Sequence, residues 1–479
     1  MSRESIEFHL ADRAHQGPEP EGGFSGSAGG SACGDIVRIS FALEDGLLRR
    51  PSFAAEGCAP TRAAAAAACE LIDGIATMAG AEVGPAEISS ELGGLASSHA
   101  HAAELAADAL HRALAAAASS GLPLASPAPD RVLVALSGGV DSAVAALLER
   151  ERGSEVVAVT LKLWADRGTD GERSCCSPEA VVRARDLSHS LGIPHLTLDL
   201  EQRFRATVVD DFLAGYAGGR TPNPCVRCNG ELRIDAMIEL ADRVGASHLV
   251  TGHYARVVDD GEGPLLARPD DDRKDQTHML SALRPGSLAR LHFPLADLTK
   301  PRVREIAHQA GLPVAGRAES QDLCFLAGAG KREFLRRHAG LADRPGEVVD
   351  SGGRVLGTHP GHHNFTVGQR RGLGISGGDG TPRYVLAVDA DANRIVVGKR
   401  EQLAESTVRL RGARLHRGPG RVNRVRLRHH SRPLPCRVDP AGSAEELMVA
   451  LREPAFGVAP GQTASLLDGD LVVGHGTIA

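Results

Sequence analysis

Val132-Leu133-Val134-Ala135-Leu136-Ser137-Gly138-Gly139-Val140-Asp141-Ser142 decides the fold: an apolar run, a six-residue loop of glycines and hydroxyls, and then the helix-forming stretch Ala143 to Glu151. Strand, loop and helix in this order make a phosphate cradle. Two glycines let the backbone approach a phosphate closely, the helix start offers unpaired N–H groups and a positive dipole, and the serines add hydroxyl donors. The lysine of a Walker A loop is absent. The competing reading is a plain glycine turn, and the order of strand, six-residue loop and helix argues against it.

Downstream the same rhythm continues, with strands expected at 156–164, 195–200 and 248–257 and a helix around Pro178 to Leu191. Strands alternating with helices of this length imply βαβ units and a parallel sheet. From Gly346 the texture changes to short glycine-punctuated strands (383–390, 394–399, 463–478), which suits a small β-barrel or a pair of β-modules. Upstream, a strand is expected at 36–41 and alanine-rich helices at 63–78 and 102–118. The Pro/Ser/Ala stretch Ser119 to Pro129 reads as a linker. The chain therefore reads as an α/β and α+β multidomain protein: a small α+β domain (1–120), a linker (121–130), a Rossmann-like parallel-sheet domain (131–300), a connecting segment (301–345) and a β-rich region (346–479). Its 479 residues suit about three domains.

The net charge of −6 hides an uneven distribution. Residues 1–130 carry 17 acids against 7 arginines, so the remainder is slightly basic. Within it, Ser406 to Val438 holds ten arginines, three histidines and no acid. Such a run can be a solvated face, but ten guanidinium groups without local acids repel one another unless a polyanion neutralises them, which points to a phosphate-backbone surface. Aromatic residues make up only 3% of the chain, so extensive base stacking is not expected. The polar start and the absence of any long apolar run indicate neither signal peptide nor membrane span, and hence a cytoplasmic protein. Nine cysteines, several in short motifs (Cys175-Cys176, Cys225-x-x-Cys228), suit thiol or metal chemistry better than structural disulfides.

The loop at 137–142 resembles the PP-loop of the N-type ATP pyrophosphatases. Thr221-Pro222-Asn223-Pro224-Cys225-Val226-Arg227-Cys228-Asn229, Thr251-Gly252-His253-Tyr254-Ala255, Lys274-Asp275-Gln276, Ser320-Gln321-Asp322-Leu323-Cys324-Phe325 and Gly368 to Ile375 follow it. In order and spacing these motifs resemble the tRNA-specific 2-thiouridylase family over roughly residues 131–479. The resemblance implies ATP and Mg²⁺ as cosubstrates and adenylation of the C2 oxygen of the wobble uridine, which sulfur then replaces. It implies an ATP site at Ala135, Leu136, Ser137, Gly138, Gly139, Val140, Asp141, Ser142, Leu161 and Gly252, with Asp141 helping to hold Mg²⁺. It implies tRNA contacts at Asn223, Pro224, Cys225, His253, Lys274, Asp275, Gln276, Arg428, His429 and Gln462, the first three meeting the target base.

By the same resemblance Cys324 carries a persulfide, and Cys228 frees its sulfur through a transient disulfide. A buried apolar thiol is the bland reading of Cys324, and half of a zinc site that of the C-x-x-C, although no second pair follows at finger spacing. Some family members have Asp where this chain has Cys225. Cys225, Cys228 and Cys324 thus open a second route, a [4Fe-4S] cluster whose free iron binds sulfide. Cys436 reads as structural, and Cys175-Cys176 has no assigned role.

In the N-terminal third, Gly29 to Asp35, Gly57-Cys58-Ala59 and His101-Ala102 resemble a NifU/IscU-type iron-sulfur scaffold. Cys33, Asp35, Cys58 and His101 match its ligand pattern, while Ala102 stands at the third cysteine position. Thiolate, carboxylate and imidazole could hold Zn²⁺ or a labile cluster. A docking module that recruits a cysteine desulfurase or sulfur-relay protein is the alternative, and Cys69 reads as core. Two other functions compete: an iron-sulfur or sulfur trafficking protein with an inactive PP-loop half, and a ligase acting on a small metabolite.

Overall fold

The computed structural model describes the chain except residues 1–2, 12–13, 31–33, 165–176, 318–322, 327–328, 376–380 and 442. Only the backbone is described for 3, 4, 440, 441, 443 and 444. Cys33, Cys175, Cys176 and Ser320 to Asp322 lie outside the described residues.

An antiparallel three-stranded sheet, β1 (Phe24–Gly29), β2 (Ile36–Glu44) and β3 (Leu47–Glu56), forms the N-terminal unit with helices Ala59–Ile72 and Ala100–Ser119. Small side chains make close packing possible here: the Cβ that Gly26 lacks would lie 2.3 Å from the Ala109 carbonyl of the second helix. The first helix starts four residues before the sequence suggests and stops at Ile72; Gly74, at φ +78, turns the chain, and a separate short helix follows at Thr77–Gly80. The periodicity of alanine hides such a break because every face of the stretch is equally apolar.

The second unit is a parallel sheet in the order β10-β7-β4-β5-β6, formed by β4 (Ala128–Ala135), β5 (Glu155–Lys162), β6 (His195–Asp199), β7 (Ala246–Thr251) and β10 (Leu291–His292). Its edge strand β6 is covered by the N-terminal unit: His195 N–H donates to the Ala81 carbonyl at 3.1 Å, and Arg185 meets Asp108 at 3.4 Å. Covering an exposed edge removes a template for unwanted pairing. His111 and His195 are buried at this contact, and burial holds both well below the usual imidazole range. In the stretch expected as a linker, Leu124 is buried and its N–H donates to the Arg243 carbonyl at 2.8 Å.

The stretch 248–257, expected as one strand, is two. β7 ends at Thr251, and β8 (Arg256–Asp259) pairs with β9 (Pro264–Ala267) in a different sheet. The break is steric. A Cβ on Gly252 would sit 2.7 Å from Asp141 C and Ser142 N, so the chain turns where it passes against the phosphate loop.

Beyond residue 345 lie two β-modules. The first is a four-stranded sheet, β12-β11-β14-β13 (β11 Gly346–Asp350, β12 Val355–His359, β13 Tyr384–Asp389, β14 Arg394–Gly398). The second is a barrel of β15 (Ala404–Leu415), β16 (Arg424–Arg426), β17 (Leu434–Ala441), β18 (Ser443–Phe456), β19 (Thr463–Asp468) and β20 (Leu471–Ile478). Pairing of β15 with both β18 and β20 closes it, and β9–β8 extend from β20. Among the described residues no helix is long and apolar enough to cross a membrane.

Candidate active site

Gly138 takes φ +69, outside the range comfortable for a side chain, and so turns β4 into the Val140–Glu151 helix. Ser142 Oγ fixes the loop by accepting from Ser137 N–H at 3.1 Å and donating to the Gly139 carbonyl at 3.1 Å. A cleft of about 240 Å³ opens above it, lined among others by Ala135, Leu136, Ser137, Asp141, Leu161 and Gly252. Seven of the ten residues expected at the ATP site, Ser142 included, thus share one cleft, and Gly138, Gly139 and Val140 complete the loop beneath them. The arrangement suits a nucleotide: an apolar strand-end floor and backbone N–H groups at a helix start.

Two cations reach this loop from 300–317, and the sequence reading passed over both. Lys300 Nζ lies 2.6 and 2.8 Å from the Asp141 carboxylate oxygens, and Tyr254 hydroxyl donates to Asp141 Oδ1 at 3.0 Å. Arg317 donates to the Gly138 carbonyl at 2.8 Å. Lys300 opens a helix, Lys300–Gln309, where the positive dipole end disfavours a cation. That misplaced charge just before Pro301 is the signal that could have exposed it.

The Thr221–Asn229 motif folds by local rules. Asn223 Oδ1 caps the next helix by accepting from Val226 N–H at 3.3 Å, Pro224 takes a first-turn position, and helix Pro224–Cys228 follows. Cys225 and Cys228 therefore stand three apart on one helical face. Cys228 is buried in an apolar core against which Leu323 and Cys324 also pack. Burial pushes the Cys225 thiol up, opposed by Arg233. Cys324 opens a short turn, Cys324–Leu326, set on aromatic rings: Phe325 lies 5.8 Å from Phe204, 5.1 Å from Phe212 and 5.1 Å from Phe334, and Phe334 lies 5.9 Å from Trp164. The chain's scarce aromatics are thus concentrated beneath the cysteine turn.

The residues expected to contact tRNA divide into two groups. Arg428 is exposed and His429 partly so. The others are engaged in the protein. His253 lines the cleft over the phosphate loop, bonded to Thr251 Oγ1 at 2.8 Å and Arg233 at 3.2 Å, and burial lowers it to about 3. Gln276 accepts from Tyr254 N–H at 2.8 Å, and Lys274 ends a short turn at Asp272–Lys274. Gln462 donates to the Thr221 carbonyl at 2.8 Å, and Thr221 N–H donates to the Pro460 carbonyl at 2.8 Å. The barrel is thereby bonded to the motif that holds Asn223 and Cys225.

Asp275 is buried and accepts from Arg426 at 2.9 Å and from Thr277 Oγ1 at 2.6 Å. Its carboxyl lies below the usual range because the Thr277 bonds and Arg426 outweigh its burial. Asp275→Ala leaves Arg426 buried without its carboxylate and is expected to cost ~3–5 kcal/mol, read as a fall in Tm. The folded-state pKa is depressed, so the pair stabilises above the ordinary carboxyl pKa of about 4 and loses its contribution as pH falls through the lower folded value. The wild-type to Asp275→Ala difference in Tm should therefore shrink below about pH 4.

The arginine-rich run is better compensated than its sequence suggests, because its acids come from far along the chain. Arg417 and Arg421 meet Asp260, Arg421 also Asp468, Arg409 Glu446 and Arg432 Glu453. Arg411, Arg414, Arg424 and Arg428 are exposed without an ion pair among the described residues. Arg411 and Arg414 line a cleft of about 370 Å³ with Arg220, Arg227, Pro222 and Asn223. Two of the four unpaired guanidinium groups, those of Arg411 and Arg414, thus share a cleft with the Asn223 motif.

In the N-terminal unit, Asp35, Cys58 and His101 each bring a ligand atom within 4.8 Å of the others. Thr61 Oγ1 donates to Asp35 Oδ2 at 2.5 Å and lies 3.1 Å from Cys58 Sγ; His101 Nε2 is 3.5 Å from Asp35 Oδ2. The Thr61 bond above all holds the Asp35 carboxyl below its usual range. Gly57 is required: its Cβ would lie 2.3 Å from Asp35 Oδ1. One oxygen, one sulfur and one nitrogen at this spacing fit a divalent cation. Cys69 and Cys436 are buried, and burial pushes Cys436 up to about 11.

Comparisons with known proteins follow these units. Residues 3–119 match the NifU-like N terminal domain, 130–328 the tRNA methyl transferase HUP domain, 332–399 the tRNA methyl transferase PRC-barrel domain and 402–478 the aminomethyltransferase beta-barrel domain. The bifunctional protein NifU/MnmA of Rubrobacter xylanophilus is 46% identical over 467 residues, 95% of this chain and 93% of that protein. The tRNA-specific 2-thiouridylase MnmA of Acidithiobacillus ferrooxidans is 43% identical over 356 residues, 73% of this chain and 99% of its own. A 4-thiouridine synthetase in complex with RNA and ATP superposes on 41% of this chain and 45% of its own, at 20% identity and a TM-score of 0.27. Carrying the thiouridylase half and the NifU-like half in one chain, as the Rubrobacter protein does over almost its whole length, this protein belongs to the tRNA-specific 2-thiouridylase family in its NifU-fused form.

Proposed function

We propose that the chain thiolates the wobble uridine of tRNA at C2. The observation that carries this is the bonding of the barrel to the Thr221 to Cys228 motif, which shares one cleft with the unpaired Arg411 and Arg414 and ends on Cys228, buried in the core against which Cys324 packs. ATP lies over Ser137 to Ser142, with Asp141 helping to hold Mg²⁺. The uridine C2 oxygen attacks the α-phosphorus and pyrophosphate leaves, gripped by loop N–H groups, Lys300 and Arg317. Asn223, Pro224 and Cys225 hold the base. Adenylation turns the C2 oxygen into a leaving group. The thiolate of Cys228 attacks Cys324 Sγ, the persulfide S–S bond breaks, and the released sulfur adds to C2 as AMP departs. A thiol reductant then reopens the Cys228–Cys324 disulfide. A cysteine desulfurase or sulfur-relay protein reloads Cys324.

Cys225 and Cys228 on one helical face favour a second reading of the same reaction. There the two would hold, with Cys324, a [4Fe-4S] cluster that supplies sulfide. Iron and acid-labile sulfide in the protein, lost in Cys225→Ala, would select it. In the NifU-like unit, Asp35, Cys58, His101 and Cys33 are the residues to hold Zn²⁺ or a labile cluster, or the unit acts as a docking module. A cytoplasmic setting suits both.

The test is pyrophosphate release from ATP, measured with and without unmodified tRNA. Release that needs tRNA is the expected result. Release without it favours a small-metabolite ligase, and none under either condition favours a trafficking protein with an inactive PP-loop half.

A further inference from the structure

A cleft of about 660 Å³ lies where three units meet, walled by Thr221 of the parallel-sheet unit, Thr366 and Val367 of the four-stranded module, and Arg428, Phe456 and Gln462 of the barrel. Thr221 Oγ1 donates to Thr366 Oγ1 at 3.1 Å, and Gly368 packs on Gly457 so closely that a Cβ there would lie 3.1 Å from its Cα. Its walls are therefore fixed relative to the base-holding motif. Phe456 ends β18 opposite Ala404, yet is 39% exposed. Its ring is thus partly open to the cleft that it lines. The Arg400 guanidinium lies 4.5 Å from the ring centroid, and Arg428 and Arg432 stand on the same cleft. Arg432 is engaged by Glu453 at 2.6 Å, which leaves Arg400 and Arg428 in excess.

An aromatic ring backed by a guanidinium, within a cleft of positive excess, has the chemistry that holds an unpaired base while arginines take its phosphates. We propose that Phe456, backed by Arg400, is a stacking site for one unpaired base of the tRNA anticodon loop, lying beside the base held at Asn223. This rests on the tRNA reading above and adds to it a base-contact residue. The site holds the substrate and takes no part in the chemistry.

The experiment measures binding of the full-length protein to an anticodon stem-loop RNA across a salt series, for wild type, Phe456→Ala, Phe456→Leu and Phe456→Trp. Phe456→Ala and Phe456→Leu should each weaken binding on the order of tenfold with the salt slope unchanged, the loss expected for one stacked base. Phe456→Trp should bind at least as well as wild type. Arg428→Ala, by contrast, should lower the slope by about one. Replacing loop bases one at a time by abasic residues should identify a single position whose loss costs the wild type but not Phe456→Ala. Affinity unchanged in both Phe456→Ala and Phe456→Leu overturns the proposal, as does an equal Phe456→Ala penalty on every abasic loop. An effect confined to sulfur delivery from a donor protein also overturns it and marks the cleft as a protein-docking site. Should Phe456→Ala fail to fold, Phe456→Leu, which keeps an apolar side chain, gives the same reading. Wild type that binds no RNA at all fails the tRNA reading itself; wild type that binds, with variants that match it, fails only the stacking site.

Discussion

Cys324→Ser is expected to reduce 2-thiouridine formation to background while leaving tRNA affinity and tRNA-dependent pyrophosphate release close to wild type. The reason is chemical. A hydroxyl carries no persulfide, and on the proposed mechanism adenylation of the uridine would use the PP-loop rather than the cysteine turn. Cys324 lies at the border of its aromatic core rather than deep within it, so exchanging sulfur for oxygen there is a small structural change. Cys228→Ser should be equally inactive for a different reason. On the proposed mechanism a loaded Cys324 persulfide should then persist when the thiol reductant is left out, because Cys228 no longer breaks its S–S bond, and it should be detectable by mass or by alkylation. Cys228 is only 7% exposed, so a serine hydroxyl there costs ~1–3 kcal/mol, and Tm must accompany the assay. Residual thiolation in either variant would remove the assigned roles.

Lys300→Met should lower pyrophosphate release on the order of 10²–10³-fold with tRNA affinity unchanged, the effect of removing one preorganised charge from a developing anion. Lys300 is 8% exposed and paired with Asp141, in a first-turn position where the helix dipole repels it. On the proposed mechanism Lys300, held beside the phosphate loop by Asp141, is placed to offset the charge of the departing pyrophosphate. Lys300→Arg keeps the charge but not the compact ammonium and should fall between the two. Pyrophosphate release within threefold of wild type in Lys300→Met would make the pair a structural ion pair only.

What the sequence made legible follows from how local each feature is. The PP-loop was readable because strand, turn, hydroxyls and helix start are contiguous, and the cleft above it gathers the expected residues. The split at Gly252 was not, because both halves have the same apolar texture and the cause is a contact with Asp141, more than a hundred positions earlier. The partners of the arginine run were hidden for the same reason: Asp260, Asp275 and Glu453 compensate part of it from other strands and turns. Asp275 and Gln462 stand at motif positions expected on RNA, yet bond within the protein, to Arg426 and to the Thr221 carbonyl. Lys300 carried a signal in its unfavourable place on a helix, but its meaning depends on the distant Asp141. Covering of β6 by the NifU-like unit, through His195 and Ala81, leaves no mark in composition at all.

Nucleoside mass analysis of unmodified tRNA, after incubation with the full-length protein, ATP, Mg²⁺, a cysteine desulfurase with cysteine, and a thiol reductant, reads the proposed wobble thiolation itself. The expected product is 2-thiouridine at the wobble position, with one AMP and one pyrophosphate formed per sulfur incorporated. Pyrophosphate formed without 2-thiouridine, or sulfur incorporated without ATP, would contradict it.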